Sequence, residues 1–186
     1  MKLINFRGDE FDISTLFISF DITEDIYSSS LYGTILMMES IDLAQNFPLI
    51  GEEKIKISVK TPDMSSPITM VFNVFEMSNV IEINEKTRQY ILNFCSRELL
   101  QNRCQRVVRS FKNKKHTDIV ESILRQELQS LKPLEVEECS TVMTYIPPNV
   151  FPFEVIASMS TRARSAKYPN SAGYLFFETM EGFRLS

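Results

Sequence analysis

Residues 22–60 read ITEDIYSSSLYGTILMMESIDLAQNFPLIGEEKIKISVK, and this segment carries the strongest indications of the fold. The segment Leu31–Met38 is apolar on both faces, which is typical of a fully buried strand. In the segment Lys54–Lys60, isoleucine and valine alternate with polar residues, which predicts a half-buried strand. Its outer face is cationic because it carries three lysines: Lys54, Lys56 and Lys60.

A short helix is predicted between these two strands, over residues 41–47. Ser40 is a suitable N-cap, since its hydroxyl can accept a hydrogen bond from a free N–H of the first turn. Pro48 ends the segment because it cannot continue a helix, and Gly51 supplies a turn. The stretch is therefore a strand, helix and strand of one sheet system.

More strands flank this stretch. Leu16–Thr23 alternates with period two, and Ile68–Phe75 and Tyr90–Cys95 are rich in β-branched and aromatic residues. A shorter strand is predicted over Asn79–Ile83, followed by a turn over residues 84–86. The first part of the chain, residues 1–98, is thus predicted to be a mostly antiparallel β domain.

The second part, residues 99–186, predicts a smaller α/β domain with two helices. Thr117 is a suitable N-cap for a helix whose apolar stripe comprises Ile119, Ile123, Leu124, Leu128 and Leu131. A second helix begins at Pro152, which suits the first helical position. Residues 174–185 read as a β-hairpin with a turn at 180–182. The fold class of the whole chain is therefore α+β.

The sequence contains few residues that could form a catalytic or metal-binding site. His116 is the one histidine, predicted in an exposed loop, and the three cysteines are widely spaced, so neither a nucleophilic triad nor a zinc site is indicated. The adjacent carboxylates, such as Glu52 and Glu53, read as solvated surface, and glycine-rich phosphate loops are missing. We expect no enzyme activity, no cofactor and no metal.

One electrostatic signal stands out in a chain of net charge −4. It is a basic segment without acidic residues: Arg103, Arg106, Arg109, Lys112, Lys114 and Lys115. Three interpretations stay open, namely a solvated face, a contact with an acidic protein, and a nucleic-acid contact. Phe111 is the one aromatic residue within the segment, which disfavours a base-stacking platform. No apolar run reaches the length of a membrane span, and no signal peptide is recognisable.

The order of several motifs resembles the N-terminal part of contractile-tail phage baseplate hub proteins, which are related to type VI secretion spike proteins. The resemblance begins with the turn and buried strand of Ile22–Leu36, followed by Gly51, Glu53, Ile55, Ile57 and Val59. It continues with the strand Tyr90–Leu100, the helix start Thr117–Val120, and the hairpin Tyr174–Phe183.

This resemblance implies a tube-type β barrel or sandwich with one helix. Three hub chains would form a ring that joins the tail tube to the central spike, with a lumen for the tape-measure protein and DNA. The protein would assemble in the host bacterial cytoplasm and reside in the virion tail, in contact with other baseplate proteins. The chain stops at Ser186, roughly where a second tube-type domain is expected, as in a truncated or split hub.

The expected assembly contacts are aromatic and basic side chains predicted at the surface. They comprise Tyr27, Tyr32, Lys54, Lys56, Lys60 and the six residues of the basic segment. Two functions compete with the structural role. One is a nucleic-acid-binding module that uses the basic segment, and the other is a cell-wall hydrolase of the same baseplate, although the residues of a hydrolase site were not found.

Overall fold

The computed structural model describes residues 1–40, 47, 51–60, 62–63, 66–168 and 173–186. The chain divides into two compact units. Unit 1 comprises Met1–Thr23 and Tyr32–Arg97, and unit 2 comprises Glu24–Leu31 and Glu98–Ser186. Antiparallel strands dominate and short helices accompany them, so the predicted α+β class is confirmed. The predicted domain boundary between residues 98 and 99 stays a prediction. The predicted division placed Glu24–Leu31 in the first domain, whereas the structure groups this segment with unit 2.

Unit 1 is built on a seven-stranded sheet of order β2-β1-β5-β6-β7-β4-β3, in which all neighbours are antiparallel. The strands are β1 (Lys2–Ile4), β2 (Glu10–Asp12), β3 (Phe17–Thr23), β4 (Tyr32–Glu39), β5 (Lys54–Val59), β6 (Ile68–Asn84) and β7 (Thr87–Cys95). β6 is one long strand where two were predicted, because bulges near Phe75 and Asn79 let the chain continue. The helix predicted over residues 41–47 falls outside the described residues, apart from Phe47.

The sheet of unit 1 must curl. The edge strands β2 and β3 follow each other in the chain, and the five steps from Asp12 to Phe17 span at most about 18 Å. In a flat sheet with about 4.8 Å between strands, these edges would lie about 29 Å apart. The seven strands therefore form a half-barrel, and its concave face encloses the core of the unit.

One face of the sheet is buried and the other is open. Along β4, Ile35 and Met37 are fully buried, whereas Tyr32 and Met38 are 44% exposed on the opposite face. The prediction that Leu31–Met38 is buried on both faces is therefore wrong. The number of apolar residues in a strand does not show whether a second layer covers its outer face. On that outer face, the Thr34 hydroxyl donates a hydrogen bond to the Asp21 carboxylate.

Position 33 requires a glycine because a backbone carbonyl and an aromatic ring approach it closely. A Cβ at this position would lie 2.1 Å from the Asp21 carbonyl oxygen and 2.6 Å from Cζ of Phe94. We therefore expect Gly33→Ala to destabilise unit 1 by about 3 kcal/mol, as overpacked cores do. Urea unfolding followed by circular dichroism measures this loss. Gly8→Ala is the control, because its Cβ meets no atom within 4 Å and only the strain of its positive φ remains, about 1 kcal/mol. Equal losses in both variants would contradict the packing argument.

Unit 2 packs helices and short strands around one apolar core. The helices are α1 (Arg97–Cys104, whose first residue belongs to unit 1), α2 (His116–Ser122) and α3 (Pro152–Arg162), and α2 continues as a π-helical turn over Ile123–Glu127. The strands are β8 (Phe111–Lys115), β9 (Leu134–Val136), β10 (Val142–Tyr145), β11 (Phe176–Thr179) and β12 (Gly182–Leu185). β8 pairs with β10, and β12 lies between β11 and β9. The predicted hairpin and both predicted helices are present.

The helix predictions were wrong in three details. The N-cap of α2 is Lys115 rather than Thr117, and it makes no side-chain cap hydrogen bond. Leu131 lies beyond the end of the helix and is 96% exposed, so it is not part of the apolar stripe. α1 was not predicted, because its sequence RELLQNRC has few apolar residues and only a weak amphipathic pattern.

Candidate assembly surfaces

His116 is buried rather than exposed, which corrects the prediction of a loop histidine. It begins α2 with 3% of its surface exposed, and its Nδ1 lies 3.1 Å from the Thr141 carbonyl oxygen. The Cys139 thiol lies 3.9 Å from the same nitrogen. Nδ1–H donating to the Thr141 carbonyl leaves that nitrogen without a lone pair for the thiol. In this tautomer Nδ1 does not act as a base towards the Cys139 thiol.

Three residues of the basic segment are engaged within unit 2. Arg106 stacks over the Phe151 ring at 4.3 Å and donates to the Asn149 carbonyl oxygen at 2.8 Å. Arg109 Nε lies 3.0 Å from Glu127 Oε1, and its guanidinium also donates to Ser122. Lys115 pairs with Glu138 at 3.0 Å. These contacts hold loops and helix α2 in place, which is a structural use that the sequence pattern does not reveal.

The other three residues of the basic segment are exposed. Arg103 lies at the end of α1, and Lys112 and Lys114 flank Asn113 on β8. Among the described residues, none of these three cations forms an ion pair. The surface that the segment offers to a partner is therefore smaller than the sequence indicates, and it is concentrated on β8.

The predicted lysine face of β5 is present in unit 1. Ile55 and Ile57 are in the core, while Lys54 is exposed and Lys56 is half-buried on the outer face. Lys60 follows the strand and is exposed. Tyr32 is 44% exposed on the outer face of β4, and Tyr27 is 80% exposed in the segment Glu24–Leu31 of unit 2. Their roles as contacts stay predictions.

The apolar end of the β6–β7 hairpin was not predicted as a surface. Both faces of β6 are open there, and four large apolar side chains are 41–56% exposed: Met77, Val80, Ile81 and Ile83. Patches of this kind mark contacts with other proteins. In the sequence this apolar surface corresponds to the run Val80–Ile83, but the same run is equally typical of a half-buried strand.

A buried charge network in unit 2 was also missed. Lys132 Nζ lies 2.7 Å from Glu98 Oε2 and donates to Glu178 Oε1, and the two carboxylate side chains are only 4% and 1% exposed. Ser130 donates to Glu98. Burial raises the pKa of Glu98, but the Lys132 charge and these hydrogen bonds outweigh it, so its pKa lies below the usual value. Because Glu98 and Lys132 are far apart in the chain, no sequence signal identifies this network.

The same network anchors the segment Glu24–Leu31 within unit 2. The Leu31 N–H donates to Glu178 Oε2 at 2.8 Å. At the other end of the segment, the Met180 N–H donates to Glu24 Oε1. Two carboxylates thus fix both ends of the segment, and the β11–β12 hairpin supplies a partner at each end.

The described residues contain neither a candidate metal site nor a candidate membrane-spanning helix. No group of three or more histidine, cysteine, aspartate or glutamate side chains is arranged to hold a metal ion there. None of the helices in that part of the chain is long and apolar enough to cross a membrane.

The fold matches solved proteins of phage tails and of a secretion system. The 43 kDa tail protein of prophage MuSo2 from Shewanella oneidensis matches 100% of the chain at 12% identity and a TM-score of 0.57. A tail protein from Neisseria meningitidis MC58 matches 99% at 10% identity and a TM-score of 0.61. An E. coli component of the type VI secretion system, described as structurally similar to T4 bacteriophage tail proteins gp27 and gp5, matches 91% at 13% identity and a TM-score of 0.59.

These likenesses confirm, at the level of the fold, the resemblance to baseplate hub proteins. The chain spans about half the length of these proteins, since it covers 53%, 49% and 45% of them. No protein-family description and no curated protein matches the sequence.

Proposed function

We propose that this chain is a non-enzymatic structural component of a phage-type tail baseplate hub. It forms a ring, a trimer of chains, that joins the tail tube to the central spike and leaves a lumen for the tape-measure protein and DNA. The observation that carries the proposal is the fold match over nearly the whole chain to two tail proteins and a secretion component. The protein assembles in the host cytoplasm and resides in the virion tail.

Two features of unit 1 support self-association. Strand β3 is a seven-residue edge whose outer backbone groups have no strand partner within the described sheet. Such edges promote pairing with another chain unless they are covered. The apolar end of the β6–β7 hairpin adds a second surface that water solvates poorly. A ring of copies would cover both.

Sedimentation velocity of the full chain tests this proposal. We expect a species of about three times the 21.5 kDa chain mass, and a ring in negative-stain images. The double variant Ile81→Ser, Ile83→Ser should shift the protein to monomers while its melting temperature stays within a few degrees, because both side chains are already about half exposed. The control Leu131→Ser removes a 96% exposed side chain of unit 2 and should leave the mass unchanged. A wild-type chain that stays monomeric at about 100 μM would contradict the ring.

A further inference from the structure

The chain leaves unit 1 from one end of three neighbouring strands. β3 ends at Thr23, β4 begins at Tyr32 and β7 ends at Cys95. These three residues form one row across the sheet, because Thr23 pairs with Tyr32 and Tyr32 pairs with Cys95. The residues of unit 2 that lie nearest in the chain to β4 and β7 are Leu31 and Glu98. The covalent connections between the units therefore all start from the same end of the sheet.

The buried charge network of unit 2 links the chain segments next to β4 and β7. Glu178 accepts the Leu31 N–H at 2.8 Å with one carboxylate oxygen and a hydrogen bond from Lys132 with the other. Lys132 Nζ also lies 2.7 Å from Glu98 Oε2. Leu31, Glu98 and Glu178 are 3% exposed or less, so water competes weakly for these bonds. One ammonium group thus connects, through Glu178, the residue before β4 with the helix after β7.

The pairing of β4 with β7 is a contact between distant parts of the chain. Bringing two distant points of a flexible chain together costs entropy that grows with the length of the loop between them. In folded unit 2, the network already fixes Leu31 and Glu98, so this loop is closed before the strands pair. The connection from β3 to β4 is closed in the same way, because Met180 and Glu178 hold both ends of Glu24–Leu31.

We propose that the Glu98–Lys132–Glu178 network is a template that couples the folding of the two units. An intact network holds the chain ready for the pairing of β4 with β7 and so stabilises unit 1. A folded sheet holds Leu31 and Glu98 in place in return, and it stabilises the network by the same free energy, since coupling is reciprocal. The inference rests on contacts within one chain and does not depend on the proposed ring.

The packing around Gly33 favours coupling over a network that stabilises unit 2 alone. Gly33 follows the first residue of β4 and lies so close to the Asp21 carbonyl oxygen and the Phe94 ring that a Cβ would clash with both. Close-packed groups of this kind transmit a displacement instead of absorbing it. If Leu31 loses its anchor, the movement therefore reaches the paired ends of β4 and β7.

Amide hydrogen exchange of the full chain under native conditions, followed by NMR, tests the coupling. In Lys132→Met we expect the amides of β4 and β7 to exchange at least about tenfold faster, although both strands belong to unit 1. Lys132→Arg keeps the cation and should restore most of this protection. Arg184→Met removes exposed ion pairs of unit 2 and should change the exchange of β4 and β7 less than about twofold.

The reverse experiment perturbs unit 1 and follows unit 2. Gly33→Ala should accelerate exchange in β11 and in the helix segment Glu98–Cys104 at least about threefold, and Gly8→Ala should have a smaller effect. Unchanged protection of β4 and β7 in Lys132→Met would overturn the proposal, whether or not unit 2 stays folded. If Lys132→Met unfolds the whole chain, Gly33→Ala decides the question, and unchanged protection of unit 2 then overturns it.

Discussion

We expect that the Ile57→Asp variant will not form the seven-stranded sheet of unit 1. Ile57 is 1% exposed and pairs with Met70 across the β5–β6 ladder, so the new carboxylate enters the apolar core. Loss of the isoleucine side chain and desolvation of the acid together cost about 5 kcal/mol or more. This is comparable to the whole stability of a small domain. Amide resonances of unit 1 in a ¹H–¹⁵N correlation spectrum should collapse to random-coil positions.

Lys56→Glu is the matched control, one residue along the same strand. Lys56 lies half-buried on the outer face opposite Val71, so a glutamate there keeps its charge in contact with water. We expect a stability change within about 1 kcal/mol and, if the lysine face is an assembly contact, a weaker ring. If Lys56→Glu loses the dispersed amide resonances of unit 1 while Ile57→Asp keeps them, the inward and outward faces of β5 have been assigned the wrong way round.

The second large effect is expected from Lys132→Met. Removing the cation leaves the carboxylates of Glu98 and Glu178 buried without their shared partner, which costs about 4 kcal/mol. Guanidinium unfolding followed by near-ultraviolet circular dichroism measures the loss for unit 2. Combining Lys132→Met with Glu98→Gln and Glu178→Gln should restore part of it, because the buried charges disappear together.

Arg184→Met is the control for a lost ion pair at the surface. Arg184 pairs with Glu135 and Glu181, which are both exposed, so its removal should cost less than about 1 kcal/mol. If Lys132→Met costs no more than Arg184→Met, then the Lys132 network contributes no more than a surface pair. The comparison therefore isolates the effect of burial.

The same network predicts how stability depends on pH. The pKa of Glu98 is lower in the folded protein, so its contribution is full above the ordinary value of 4.5 and declines as the pH falls through the folded value. The pKa of Lys132 is raised: burial lowers it, but the charges of Glu178 and Glu98 outweigh burial. Its contribution is full below 10.5 and declines as the pH rises through the folded value.

Lys132→Met should reverse the acid branch of this profile. Without the cation, we expect burial to outweigh the remaining hydrogen bond from Ser130 and to raise the pKa of Glu98 above its ordinary value. Acidification from pH 7 towards 4.5 should then stabilise the variant, while the wild type keeps its stability over that range. Melting temperatures measured at half-unit steps of pH check the sign of the slope. A variant that loses stability over this range would contradict the account.

The parts of the fold that the sequence predicts are those set by local periodicity. Alternation at Ile55, Ile57 and Val59 indicated β5 and its inner face, and the apolar spacing after Thr117 indicated α2. Pro152 marked the start of α3. Each of these signals lies within a few residues and reflects which side chains must leave water together.

The parts that could not be predicted depend on contacts between distant residues. The buried His116 is hydrogen-bonded to the Thr141 carbonyl oxygen, and nothing near His116 in the chain indicates this contact. Half of the basic segment is engaged because Glu127, Glu138 and Phe151 lie against it in unit 2. The same packing leaves Lys112 and Lys114 exposed to solvent. In the sequence, a run of basic residues does not show which of them will be engaged and which will stay exposed.

The assignment of Glu24–Leu31 to unit 2 has a mechanical consequence. The backbone passes from one unit to the other three times, after Thr23, after Leu31 and after Arg97. A protease that cuts only after Arg97 leaves Glu24–Leu31 held in unit 2 by Glu178 and Met180, so the two fragments stay together. The covalent link after Arg97 is therefore supplemented by a docked segment, where an ordinary tandem pair of domains has the covalent link alone.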